Sequence, residues 1–267
     1  MDELTFRKAL ADLPLGGIRF FNQTSSTNDV ALAWSTEAAP DLALVYTEEQ
    51  TAGRGRGDRS WHTPSGTALA FSLFIRPRPF EQEAVSLFSA LGAVGLCDAL
   101  EAKGLHPAIK WPNDVLLNRR KISGILAESV WTGEKVDGIV LGIGLNVTLA
   151  AVPPPDQLNF PATSLEAEGA YKDKSPHDLD PFRLALLKDI VEAILRWRPK
   201  LGTDLFINAW ENRLAFRGEP VEIWSAGQEK KTGMLEGLEK DGSLRLRSGK
   251  NEIFLFKFGE VHLRPVV

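Results

Sequence analysis

Two short segments, each dense in glycine and charge and each set between apolar runs, constrain this chain more than the rest of its sequence. They are EEQTAGRGRGDRSW at 48–61 and KWPNDVLLNRRKISGILAES at 110–129. The first alternates Gly53, Arg54, Gly55, Arg56 and Gly57 and ends on Trp61. Alternating glycines allow positive φ and expose successive backbone N–H groups, the ingredients of an anion-binding concavity. The interleaved guanidiniums add planar, permanently charged donors for carboxylate or phosphate. A solvated surface turn would explain neither the alternation nor its place between two apolar strands. The second segment carries Lys121 ahead of Ser123-Gly124, read as a small-residue turn, and a strand-like run from Ile125 to Ala127. Arginine nest, downstream lysine and indole are the parts needed to hold a nucleoside phosphate against a carboxylate.

The bulk numbers narrow the class. A chain of 267 residues, 43% hydrophobic and 25% charged, has the composition of a soluble globular protein with one large domain and a small one. No apolar run reads as long enough to span a bilayer, and the acidic MDELTFRKALADL start is unlike a secretory signal. One cysteine, Cys97, sits in the apolar pattern SLFSALGAVGLCDAL, so it reads as a buried thiol in a reducing, cytoplasmic protein. Net charge is −4, which makes the Gly-Arg loop a local feature and argues against a general nucleic-acid binder. The histidines His62, His106, His177 and His262 are scattered, which disfavours zinc.

Along the chain, short helices are expected over 3–13, 29–35 and 203–212, with long ones over 81–103 and 181–197. Strands are expected over 18–22, 42–48, 68–75, 108–111, 115–117, 125–131 and 136–146, the last two forming a hairpin through Gly133. From residue 217 the pattern turns to short strands (VEIW, TGMLEGLE, SLRLR and EIFLFKFGEVHL) with a hairpin turn at Lys240-Asp241-Gly242. Helices and strands mix without regular alternation, so the class is α+β, with a large unit over 1–216 and a small β-barrel over 217–267.

In order and spacing these segments resemble the biotin protein ligases, which activate biotin with ATP and attach it to a carrier lysine. Ser26-Thr27-Asn28 in SSTNDVA and Gly142 to Asn146 in VLGIGLNV strengthen the resemblance, which runs from about residue 20 through the large unit. It implies a mixed sheet packed with helices, of the class II aminoacyl-tRNA synthetase-like or biotin–lipoate ligase fold, with a C-terminal SH3-like β-barrel. That barrel is a place to cover nucleotide or dock a carrier. The implied partner is a biotin carboxyl carrier domain, and dimerisation through sheet edges occurs in many relatives. Two alternatives are a bifunctional ligase–repressor and a lipoate- or octanoyl-transferring enzyme. Only about twenty residues precede the SSTN signature, too few for a recognition-helix domain, so no DNA binding is expected.

The resemblance picks out Lys121 as the catalytic cation bridging biotin carboxylate and α-phosphate, with Arg56 and Lys110 assisting. Biotin contacts are expected from Ser26, Thr27, Asn28, Gln50, Gly53, Arg54, Arg56, Lys121, Gly124 and Gly144. A neutral cyclic urea needs hydrogen-bond donors and acceptors, and the polar members supply both, although Ser26 and Thr27 could also cap a helix. ATP contacts are expected from Arg54, Arg56, Arg59, Trp61, Lys110, Asn113 and Asn146. Trp61 could stack on adenine or simply pack, and Lys110 could be a salt-bridged strand end. Asn113 and Asp114 could hold Mg²⁺ or form an Asx-turn. The Gly-Arg loop, poor in apolar burial, is expected to be mobile until ligand closes it.

Overall fold

The computed structural model describes residues 1–171, 178–225, 229–249, 252–257 and 261–266. Helix α1 (Glu3–Ala9) starts from an Asp2 cap, whose carboxylate accepts from the Thr5 N–H at 3.0 Å. Strand β1 (Gly17–Thr24) runs parallel to β2 (Ala43–Gln50), with α2 (Thr27–Thr36) as the crossover between them. All later pairings in this sheet are antiparallel. They bring in β3 (Ala68–Ile75), β4 (Ala108–Lys110), β5 (Asp114–Leu117), β6 (Arg120–Thr132) and β7 (Lys135–Asn146), giving the order β1-β2-β3-β7-β6-β5-β4. The interior strand β3, ALAFSLFI, is buried throughout because helices cover both faces of the sheet. Ala43, Val45, Phe74 and Val140 cluster with Ala31 of α2 on one face. Leu44, Phe71, Leu91, Leu141 and Leu187 belong to the main core, which takes in α3 (Phe88–Glu101) and α4 (Leu179–Trp197).

The helix expected over 81–103 is broken in two. A 3-10 segment, Pro79–Leu87, kinks at Ala84 (φ −104°, ψ 16°) before α3 begins. Glu81 is fully buried in the first turn of that segment, where it accepts the Arg78 N–H at 2.7 Å and Arg198 Nε and Nη2 at 2.9 and 3.1 Å. The whole stretch Pro79–Glu101 does reach membrane-spanning length and apolarity, contrary to the sequence expectation, but 67% of its most apolar window is buried within the fold. It is a core helix.

Ser123-Gly124 is no turn. The chain reverses earlier, at Asn118 (φ 47°) and Arg119 (φ 63°), two successive left-handed residues that make a tight hairpin between β5 and β6. Lys121 therefore lies within β6. Leu116 pairs with Lys121 but Val115 with Ser123, so Ile122 is an extra residue. In a regular strand Lys121 and Gly124 would face opposite ways; the bulge puts them on one face.

After α5 (Asp204–Glu211), the C-terminal strands are β8 (Pro220–Ser225), β9 (Lys231–Leu238), β10 (Leu244–Arg247), β11 (Ile253–Phe256) and β12 (Val261–Pro265). The segment read as one strand, EIFLFKFGEVHL, is two. They form an antiparallel sheet in the order β11-β10-β9-β8-β12, and no β11–β12 pairing closes it among the described residues. The two sheets share one core: Val221, Ile223, Leu244 and Leu263 cluster with the large sheet's residues. Trp111 Nε1 donates to the Gly242 carbonyl at 3.0 Å, in the turn expected at Lys240-Asp241-Gly242.

Candidate active site

The floor of the site is built from residues without side chains. Gly124 on β6 pairs with Gly144 on β7, which pairs with Ala70 on β3. The Trp61 indole lies over this floor, so a Cβ at Gly144 would sit 2.4 Å from it. Gly142 is equally crowded, its virtual Cβ falling 2.0 Å from Asn28 Oδ1. Above the floor lies a cavity, about 630 Å³ including its open mouth, that Ser26, Thr27, Asn28, Gln50, Arg56 and Lys121 help to line.

One end of this cavity is lined by uncharged polar groups held in a hydrogen-bond network. The Thr27 N–H donates to Gln50 Oε1 at 2.9 Å, and Gln50 Nε2 donates to Thr63 Oγ1 at 3.2 Å. Asn28 Oδ1 accepts from Ser72 Oγ at 2.6 Å, while its Nδ2 donates to Glu128 Oε2 at 2.7 Å. Ser26 occupies the N-cap position of α2 but makes no side-chain cap bond, which leaves its hydroxyl for the cavity. Such an end suits a neutral ligand group with both donors and acceptors. Ser72 escaped the sequence reading; its only signal was a lone hydroxyl in the otherwise apolar β3.

The Gly-Arg loop is folded down as a small hairpin in this structure, not splayed open. Arg54 bridges to Ser60, Gly55 N–H donates to the Arg59 carbonyl at 2.6 Å, and Trp61 N–H to the Gly53 carbonyl at 2.7 Å. Of the loop glycines only Gly57 has positive φ, at 60°. Gly53 is required for a different reason, since its virtual Cβ would meet the Trp61 carbonyl at 2.3 Å. It shapes the loop and lines the second of two cavities, not the first. Arg54 lines the first cavity but is held by carboxylates. Its Nη1 and Nη2 donate to both Glu128 oxygens at 2.9 and 2.7 Å, and its Nε lies 2.8 Å from Asp29 Oδ1. Burial opposes its charge, but these two carboxylates hold its pKa above the usual value. A guanidinium so engaged has little left for a ligand anion. Arg56 donates to Asn113 Oδ1 at 3.0 Å, and Arg59 donates to the Arg56 carbonyl at 3.0 Å and is otherwise exposed.

A second cavity, about 1610 Å³ including its open mouth, adjoins the first. Lys121, Asp114, Trp61, Gln50 and Arg59 line both. Lys110 and Asn146 line the second alone, joined by Phe160 from the segment that follows β7 and Arg264 from β12. Asp114 lies between the lysines, with Oδ1 2.6 Å from Lys121 Nζ and Oδ2 3.4 Å from Lys110 Nζ. Burial alone would raise its pKa; the two ammoniums overcome this and hold it at about 2. Lys110 is pushed down, by burial first and by Arg264 and Lys121 against the opposing pull of Asp114. Burial, then Arg59, Arg264 and Lys110, likewise lower His262. The surroundings are electropositive and fit an anion. Lys110 thus combines its two expected readings, a salt-bridged strand end and a cavity cation.

Asn146 is 3% exposed and donates to the Thr163 carbonyl at 3.0 Å, which supplies the partner its burial demands. Trp61 is the partition between the cavities. Its buried Nε1–H has no acceptor among the described residues, and Lys121 Nζ stands 5.4 Å from its ring centroid. Arg264 was invisible to sequence reasoning, because it lies in an unremarkable strand 143 residues beyond Lys121. It donates to the Asn159 carbonyl at 2.6 Å and stacks on Phe160 at 5.1 Å.

Asn113 and Asp114 do not fit the metal site expected of them. Asn113 Oδ1 is taken by Arg56 and its Nδ2 donates to the Ile125 carbonyl at 2.7 Å, while both Asp114 oxygens face lysines. A divalent cation there would have to displace two ammoniums. No group of three or more His, Cys, Asp or Glu is placed to hold a metal among the described residues; His177 lies outside them. Cys97 is fully buried, and burial raises its pKa well above that of a reactive thiol.

The two adjoining cavities share Lys121, Arg59, Asp114 and the Trp61 indole. The chain belongs to the biotin/lipoate A/B protein ligase family, which residues 20–146 match. It is 38% identical over 234 residues to the biotin–[acetyl-CoA-carboxylase] ligase of Paracoccus denitrificans, covering 84% of this chain and 92% of that one. It is 30% identical to the bifunctional ligase/repressor BirA of Escherichia coli, over 98% of this chain and 78% of that protein. The biotin protein ligase of Aquifex aeolicus, solved with biotin and ATP, superposes with a TM-score of 0.73. It is 28% identical, with 94% of this chain and 99% of that one covered.

Proposed function

We propose that this chain activates biotin with ATP to biotinyl-5′-adenylate and transfers the biotinyl group to a lysine of a biotin carboxyl carrier domain. The observation that carries the reading is the shared wall between the two cavities. Biotin takes the first, its ureido ring toward Thr27, Asn28, Gln50 and Ser26 and its carboxylate toward Lys121. ATP takes the second, its phosphates among Lys110, Lys121, Arg59 and Arg264. A carboxylate oxygen attacks the α-phosphorus, the bond to the bridging oxygen of the β-phosphate breaks, and pyrophosphate leaves. Lys121 faces both anions and offsets the charge that builds between them. The carrier amine then attacks the acyl carbon, and AMP departs. Mg²⁺ is assigned no protein side chain in this reading. Residues 1–216 would form the catalytic unit, and 217–267 a module that closes the nucleotide side through Arg264. The test mixes protein, biotin and α-labelled ATP and separates the products by chromatography. A labelled biotinyl-adenylate, consumed on adding a carrier domain, supports the reading; its absence from folded protein overturns it.

A further inference from the structure

We propose that Glu128 is a positioning residue for biotin, acting through Arg54 and Asn28 without touching either substrate. This carboxylate, midway along β6, ties together three separate parts of the chain. It accepts both terminal nitrogens of Arg54 at 2.9 and 2.7 Å, which latches the Gly-Arg loop to the sheet. It also accepts Asn28 Nδ2 at 2.7 Å, at the start of α2. Asp29, the next residue of α2, lies 2.8 Å from the remaining Arg54 nitrogen, so loop, helix and strand meet in a single clamp.

The consequence for binding follows from the planarity of an amide. With Nδ2 anchored on Glu128, and at 3.3 Å on the Leu126 carbonyl, Asn28 has its Oδ1 directed to Ser72 and against Gly142. That orientation sets the polar end of the first cavity. The Arg54 latch in turn fixes the stem from which Arg56 and Trp61 project. An ordinary part-exposed ion pair would do neither, and its loss would leave substrate binding unchanged. The paired, bidentate geometry with a third donor is of the stronger kind.

The inference rests on the assignment of the first cavity to biotin, and adenylate formation by the wild-type enzyme tests that assignment separately. Glu128→Gln keeps the side chain's shape but turns one acceptor into a donor facing donors. We expect the biotin KM for adenylate synthesis to rise about tenfold, while kcat at saturating biotin stays within about threefold, because Lys121 and Asp114 are untouched. Release of bound biotinyl-adenylate should quicken by a similar factor. Glu128→Asp, which keeps the charge but draws it back by one methylene, should fall between. Arg54→Gln should raise the biotin KM likewise, and the double variant should be no worse than the worse single one, since both break the same clamp. An unchanged biotin KM in folded Glu128→Gln, or effects that add in the double variant, would overturn the proposal. If Glu128→Gln does not fold, Asp29→Asn probes the clamp from its exposed arm: a twofold to threefold rise in biotin KM, roughly, supports it and no change refutes it.

Discussion

Replacing Lys121 with Met removes the part-buried cation that lines both cavities beside Asp114, while keeping a flexible apolar stem against Trp61. The lost interaction can be sized. A unit charge about 4 Å from developing negative charge, at an effective dielectric near 20, contributes about 4 kcal/mol. The Lys121 side chain is 24% exposed, which screens part of this and leaves about 3 kcal/mol, or about a hundredfold in rate. The fold should survive, because Asp114 keeps Lys110 as a partner. The assay is single-turnover formation of biotinyl-adenylate at saturating biotin and ATP, alongside circular dichroism. A folded variant within tenfold of wild type would refute the argument that Lys121 offsets charge between two approaching anions.

The same substitution has a consequence in acid. Asp114 has a folded pKa of about 2 against an ordinary 3.8, so its ionised form stabilises the wild-type fold above that ordinary value, and the contribution fades as pH falls towards 2. Without Lys121 the folded pKa moves up and acid unfolding should begin at higher pH, as followed by tryptophan fluorescence. Gly144→Ala drives a methyl to 2.4 Å from the Trp61 indole; we expect a loss of about 1–3 kcal/mol by thermal denaturation and weaker biotin binding by calorimetry. Arg264→Ala removes a cation from the second cavity only, so the ATP KM should rise about tenfold with the biotin KM unchanged in steady-state assays. Arg56→Gly frees the loop from Asn113, and adenylate should dissociate about tenfold faster or more, labelling bystander lysines in a stray-biotinylation assay.

Wherever the chemistry is local, the site was legible in the sequence. The Gly-Arg alternation and the polar run Ser26-Thr27-Asn28 are each contiguous in sequence, and Ser26, Thr27, Asn28, Arg54, Gly55, Arg56 and Lys121 all line the first cavity. The strand pattern was equally readable, because β3 and β7 need continuous apolar runs to be buried on both faces. What each charge does was decided only by the folded chain. Arg54 reads as an anion ligand until Glu128, 74 residues away, is found to hold it. Asp114 reads as a metal ligand until it is placed between two lysines. The facing of Lys121 depends on one extra residue, Ile122, in β6. Arg264 enters the site only because the second sheet packs on Trp111 and returns β12 to the cavity. Periodicity and turn chemistry are properties of neighbouring residues, so the sequence alone determines them. A charge's role depends on which opposite charge comes within about 4 Å, and that depends on contacts between residues far apart in the chain.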